Sequence, residues 1–128
     1  MQNKSLDDYL KEANELVPRL SFEETIDFIK NKETVIIDVR EDSEVINYGL
    51  IKEAIHIPRG LIEFKLSPNS SNNPVEIKEN TNILVYCAGG YRSALAGKTL
   101  IELGFPNVFN IGGFDEWINY GGEIQPYL

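Results

Sequence analysis

Cysteine is almost absent from this chain, and Cys87 is the only one it has. A single thiol excludes an intrachain disulfide and any metal centre built from several thiolates, so no metal site is expected. Whatever chemistry Cys87 performs, it performs without a second sulfur. Long apolar runs are lacking too. The opening MQNKSLDDYLKEANELV has no stretch long enough for a secretory core, and nothing later approaches the roughly 20 residues of a membrane span. The expected setting is soluble, reducing and cytoplasmic, with no membrane partner. Positive charge is the third scarcity. With 12 basic and 20 acidic side chains the formal net charge is −8, which removes the long-range attraction that nucleic acid or an anionic bilayer would need. The same field repels small anions, so an anionic substrate requires a local positive site. Repeats and low-complexity tracts are missing as well, and 128 residues suffice for one compact domain with its own core but not for two.

Regular patterning is what the chain does have. Leu6, Tyr9, Leu10, Ala13 and Leu16 recur at helical spacing until Pro18 stops the run, so residues 5–17 read as an amphipathic helix on the outside of the domain, its acidic face in solvent. Residues 1–19 are accordingly read as a helical extension and 20–128 as the domain proper. Ser21 followed by Glu24 is a capping box that opens a second helix over Phe22–Asn31, with Ile26 and Ile29 inward. The continuous β-branched run Thr34–Val39 and the similar Ile83–Tyr86 are signatures of strands covered on both faces. Between them fall a short helix at Glu41–Asn47 ended by Gly49, a brief strand at Ala54–Ile57 terminated by Pro58, and the loop Asn69–Pro74. Arg92–Leu103 patterns as a helix with Leu95, Ala96, Thr99, Leu100 and Leu103 inward and Gly104 at its end. Val108–Ile111 is a last strand and Phe114–Tyr120 a last helix. Buried strands alternating with helices predict an α/β fold, a parallel sheet with helices on both faces.

The chemistry concentrates in Tyr86-Cys-Ala-Gly-Gly-Tyr-Arg-Ser93, between a predicted strand and a predicted helix. Ligands of open α/β sheets bind at the carboxyl ends of strands, which is where Cys87 falls. A thiol there faces the N-terminus of the next helix, whose unpaired N–H groups and partial positive charge favour the thiolate. Gly89 and Gly90 let the backbone curl its N–H groups inward as an anion nest, Arg92 adds a full charge with a fork of donors, and Ser93 can donate its hydroxyl to the sulfur. Ala88 and Tyr91 complete the ring of loop amides. Nucleophile, glycines and arginine coincide at a strand end, which favours a reactive thiolate over an inert core cysteine.

CAGGYRS resembles the Cys-x-x-Gly-x-Arg active-site loop of rhodanese-like domains, with Cys87, Gly90 and Arg92 on its fixed positions. Ile37-Asp-Val-Arg-Glu41 with Glu44 is similar to the family's Asp-Val-Arg signature, and Ile111-Gly-Gly-Phe-Asp-Glu-Trp117 resembles its Gly-Gly-…-Trp ending, so the likeness runs from about Leu20 to Gly122. The resemblance implies a three-layer α/β/α domain around a mostly parallel five-stranded sheet. It also implies sulfur transfer through a covalent persulfide on Cys87, without a cofactor. The donor would be a small sulfur-containing anion such as thiosulfate, a polysulfide or a protein persulfide, and the acceptor a thiol or cyanide. Two departures stand out. Gly49-Leu-Ile-Lys-Glu-Ala54 replaces the family's Gly-His-Ile-Pro-Gly-Ala turn, and Ala88 is neutral where well-known thiosulfate-specific loops carry a second cation.

Other residues admit plainer readings. Arg59 either faces the pocket or starts a surface helix. Asp38 and Arg40, at a strand end, could bind substrate, but are expected instead to brace the active-site loop or to pair with Glu44. His56, between Ile55 and Ile57, is read as structural, and Trp117 with Phe114 as helix packing. Two other functions compete with sulfur transfer. A cysteine phosphatase or arsenate reductase would use a similar Cys-and-Arg cradle, but four residues separate Cys87 from Arg92, one fewer than in those phosphate-binding loops. A non-catalytic binding module would usually have lost the cysteine, so Cys87 with Gly90 and Arg92 argues for activity, whereas a sulfur carrier serving one protein partner would look the same in sequence.

Overall fold

The computed structural model describes residues 1–127. The chain runs through α1 (Leu6–Leu16), α2 (Phe22–Asn31), β1 (Thr34–Asp38), α3 (Asp42–Tyr48), β2 (Leu50–Ile51) and β3 (Ile55–His56). A 3₁₀ turn at Arg59–Leu61 leads into α4 (Ile62–Leu66), followed by β4 (Asn82–Cys87), α5 (Tyr91–Glu102), β5 (Val108–Gly113), α6 (Phe114–Asn119) and β6 (Ile124–Gln125). Local chemistry explains the helix starts. At α2, Ser21 Oγ accepts the Glu24 N–H at 3.1 Å while the Ser21 N–H reaches the Glu24 carboxylate at 2.9 Å, the reciprocal box expected from the sequence. Ser5 and Asp8 form the same box at α1.

The central sheet has the order β3-β1-β4-β5, all parallel. The expected fifth strand is a single bridge: Arg19 pairs with Asn110 beside β5, where the Leu20 N–H reaches the Asn110 carbonyl at 3.0 Å and the Asn110 N–H reaches the Pro18 carbonyl at 2.9 Å. The segment between the end of α1 and the cap of α2 is too short for more, and Pro18 has no N–H to give a ladder. A separate antiparallel pair, β2 with β6, joins the C-terminal segment to the chain just after α3.

Strand alternation divides the core. Ile83, Val85 and Cys87 pack on the α5 side with Ala96, Leu100, Ile62 and Val17, while Leu84 and Tyr86 pack on the opposite side with Phe114, Trp117, Val45 and Ile51. Cys87 therefore points to the face that α5 covers. On α1 only Ala13 is buried, and Leu6, Tyr9 and Leu16 stay exposed, but Val17 just beyond the helix belongs to the core. Its Cγ1 would lie 2.9 Å from a Cβ on buried Gly97 of α5, so the approach uses the room that glycine leaves. Beside Cys87, the β4–β5 register shifts: Val85 pairs with Asn110 but Tyr86 with Gly112. That bulge sets Gly112 and Gly113 against the loop that follows Cys87.

Candidate active site

Cys87 is the last residue of β4 and is fully buried, whereas Ala88, Gly89 and Tyr91 form an exposed crest above it. The crest turns because Gly90 takes φ +95°, a left-handed conformation in which its N–H points back to Cys87 Sγ at 3.0 Å. Ser93, in the first turn of α5, places Oγ 3.5 Å from the sulfur. Burial pushes the Cys87 thiol up, but hydrogen bonds from the Ser93 hydroxyl and from the backbone amides of Ser93, Gly90 and Gly89 prevail and hold it below its ordinary value. The hydroxyl has one hydrogen and two takers, since Ser93 Oγ also lies 2.8 Å from Asn110 Oδ1. That shorter contact claims it while Cys87 is a thiol; once the thiolate forms the hydroxyl can turn to the sulfur, and the amides, which cannot turn elsewhere, add to the lowering.

Asn110 received no role from the sequence, where it is only part of a strand. It is buried, its Nδ2 donates to the Gly90 carbonyl at 3.0 Å, and its Oδ1 accepts the Gly112 N–H at 3.0 Å besides the Ser93 hydroxyl. One amide side chain thus ties the loop, the bulge and α5 together. The detectable signal was a polar side chain at an inward position of a buried strand.

Arg92, at the start of α5, forms a two-pronged pair with Glu44 of α3: Nη1 to Oε1 at 2.6 Å and Nη2 to Oε2 at 3.0 Å. The Arg92 guanidinium, assisted by the Glu41 N–H, holds the Glu44 carboxyl down at about 2 against the pull of partial burial. Arg92 is held above its ordinary value, first by Glu44 and then, against burial, by the Cys87 sulfur. The expected alternative of an Arg40–Glu44 pair is not formed. Arg40 instead binds Asp38, Nη2 to Oδ2 at 2.6 Å, and donates to the Gly49 carbonyl at 2.6 Å, with its guanidinium carbon 4.1 Å from the Phe114 ring centre. Asp38 and Arg40 are buried and join the end of β1 to the start of β2, so they brace the sheet beside the loop without entering it.

Arg59 lies in the 3₁₀ turn and reaches Glu63 at 3.2 Å and Thr99 Oγ1 at 3.0 Å. Thr99 is about two turns along α5 from Arg92, so the Arg59 guanidinium is directed along the helix and not to the loop. His56 Nε2 donates to the Arg40 carbonyl at 2.7 Å, in keeping with a structural reading, and Trp117 packs its ring against Phe22. Among the described residues no helix is long and apolar enough to cross a membrane.

Comparison with known proteins bears on this geometry. The family model for the rhodanese-like domain matches residues 21–120. A mouse (Mus musculus) protein named thiosulfate sulfurtransferase/rhodanese-like domain-containing protein 3 is 30% identical over 111 residues, covering 79% of this chain and 68% of that one. The tRNA uridine(34) hydroxylase of Prochlorococcus marinus (strain MIT 9215) is 36% identical over 87 residues, which are 66% of this chain but 28% of that larger protein. Among solved structures, a Rhodopseudomonas palustris protein of unknown function, described as a possible tyrosine phosphatase, matches with a TM-score of 0.86 at 33% identity, over 98% of this chain and 97% of that one.

Proposed function

Since this chain belongs to the rhodanese-like domain family, we propose that it is a sulfurtransferase that carries a sulfane sulfur as a persulfide on Cys87. The Cys87 thiolate attacks the outer sulfur of a donor, a new S–S bond forms, and the donor's own bond to that sulfur breaks with the electron pair leaving on sulfite or a thiolate. The outer sulfur then sits among the amides of Ala88, Gly89, Gly90, Tyr91, Arg92 and Ser93, a set of fixed dipoles that favour its negative charge. An acceptor thiol or cyanide attacks that sulfur and regenerates Cys87. With no second cysteine in the chain, no internal disulfide can expel the sulfur, so donor and acceptor must alternate.

The observation that carries this reading is the tight ring itself: the Gly90 N–H stands 3.0 Å from Sγ in a loop with four residues between Cys87 and Arg92. A ring one residue longer is what phosphate-cradling relatives use, and the description of the Rhodopseudomonas protein makes that second reading worth an explicit test. Intact-mass measurement after thiosulfate, polysulfide or a protein persulfide should show one added sulfur on the wild type, removable by cyanide, and none on Cys87→Ser, whose hydroxyl stays protonated near neutral pH. Equal gain on both proteins, or none from any donor, rejects the proposal. Hydrolysis of an aryl phosphate faster than sulfur transfer would turn the assignment to a phosphatase.

A further inference from the structure

All four arginines of the chain are committed to carboxylates: Arg19 to Glu116 at 2.9 Å, Arg40 to Asp38 at 2.6 Å, Arg59 to Glu63 at 3.2 Å and Arg92 to Glu44 at 2.6 Å. The pair that matters to Cys87 is the last. Glu44 takes both terminal nitrogens of Arg92 at once, the geometry in which a carboxylate neutralises a guanidinium most completely. It is also held there independently, because Glu44 Oε1 accepts the Glu41 N–H at 3.0 Å at the start of α3. The loop contributes no other cation, since Ala88 is neutral and Arg59 is aimed along α5.

Resting on the sulfurtransferase reading, we propose that Glu44 is a specificity-determining residue: by neutralising Arg92 it selects monoanionic persulfide donors, R–S–S⁻, over the dianion thiosulfate. With Cys87 ionised, the site holds one formal positive charge on Arg92 and two negative charges, on Cys87 and Glu44. Transfer from a persulfide is Cys87–S⁻ + R–S–S⁻ → Cys87–S–S⁻ + R–S⁻. Transfer from thiosulfate is Cys87–S⁻ + S–SO₃²⁻ → Cys87–S–S⁻ + SO₃²⁻. Both balance in atoms and charge, but the second brings an additional negative charge in and must carry it out again as sulfite. A free guanidinium would offset that charge, and one already paired does so far less. The net charge of −8 adds a repulsion that grows with donor charge.

The test compares loading of Cys87 by thiosulfate, by cysteine persulfide and by a persulfide carried on a cysteine desulfurase, in wild type, Glu44→Gln and Glu44→Asp. The two persulfide arms separate a small donor from a protein-borne one. Removing the charge in Glu44→Gln should raise the thiosulfate-to-persulfide ratio of kcat/KM on the order of tenfold. Glu44→Asp keeps the charge and should leave the ratio within about threefold of wild type. A ratio unmoved by Glu44→Gln, with persulfide still forming on Cys87, overturns the selector role and leaves the sulfurtransferase reading standing. No sulfur on Cys87 from any donor overturns both. If Glu44→Gln fails to fold, Glu44→Ala and Glu44→Ser take its place: a raised thiosulfate-to-persulfide ratio in either supports the proposal, and a ratio at the wild-type value with persulfide still forming on Cys87 overturns it.

Discussion

At the scale of single residues, the site depends on where individual hydrogens point. The Gly90 N–H can only face the sulfur, whereas the Ser93 hydroxyl is shared with Asn110. The Cys87 thiolate, followed by its ultraviolet absorbance, should titrate below its ordinary value, so the reactive form appears at lower pH than for a free cysteine as pH rises through that lowered value. Ser93→Ala should raise the midpoint without carrying it above the ordinary value, because the amides remain. An unshifted wild-type midpoint, or a Ser93→Ala midpoint that does not rise, would contradict this division of labour. The thiol, the nest glycines and the arginine were legible in the sequence because they lie within eight consecutive residues, Tyr86–Ser93. Asn110 was not, since its three partners are brought to it by strand pairing across intervals that carry no periodic signal.

At the scale of elements, the bulge on β5 and helix α3 each hold the loop from one side. A Cβ on Gly113 would run into the carbonyl oxygen of Ala88 and lie 3.1 Å from its carbon. These are backbone atoms, so the crest of the loop and not a flexible side chain has to yield. Gly113→Ala should therefore lower sulfur transfer by at least about tenfold while costing only roughly 1–3 kcal/mol of stability, as overpacking typically does. Full activity in a folded Gly113→Ala protein would show that the loop tolerates displacement. Helix α3 adds a pH dependence through Glu44. Its folded-state pKa, about 2, lies below the value of 4.5 for the free side chain, so its contribution is complete above about pH 4.5 and is lost as pH falls toward 2. Urea midpoints measured through that window should fall more steeply for wild type than for Glu44→Gln, and parallel curves would mean that the ion pair adds nothing to stability. The buried strands and capped helices could be read from sequence because each is dictated by its own residues. β2 and β6 are two-residue strands without periodicity, and the Arg92–Glu44 contact spans 48 residues, so both came from the fold alone.

At the scale of the whole molecule, the division into an extension and a domain proper becomes a question of energy. Val17 is part of the core beside Leu100, Ala13 is fully buried against the same side of the domain, and Pro18–Leu20 covers the open edge of β5. Deleting residues 1–17 should cost at least about 2 kcal/mol in chemical denaturation, the order of uncovering one valine-sized contact and the cavity beneath it. A truncated protein as stable as the full chain would make the helix a detachable appendage.

The burial of Cys87 has a consequence for how the protein presents itself when empty and when full. Its sulfur lies beneath the exposed crest of Ala88, Gly89 and Tyr91, with no surface of its own. A persulfide adds a second sulfur about 2 Å farther from the backbone, the length of an S–S bond. On the sulfurtransferase reading that atom lies among the loop amides, nearer the rim than Sγ: a bulky alkylating dye should label the charged form faster than the spent form, the reverse of the order expected for an open thiol. The same ring would then act as a gauge on the acceptor side, admitting a slender thiolate to the outer sulfur while keeping the inner one out of reach, so that sulfur is released one atom at a time.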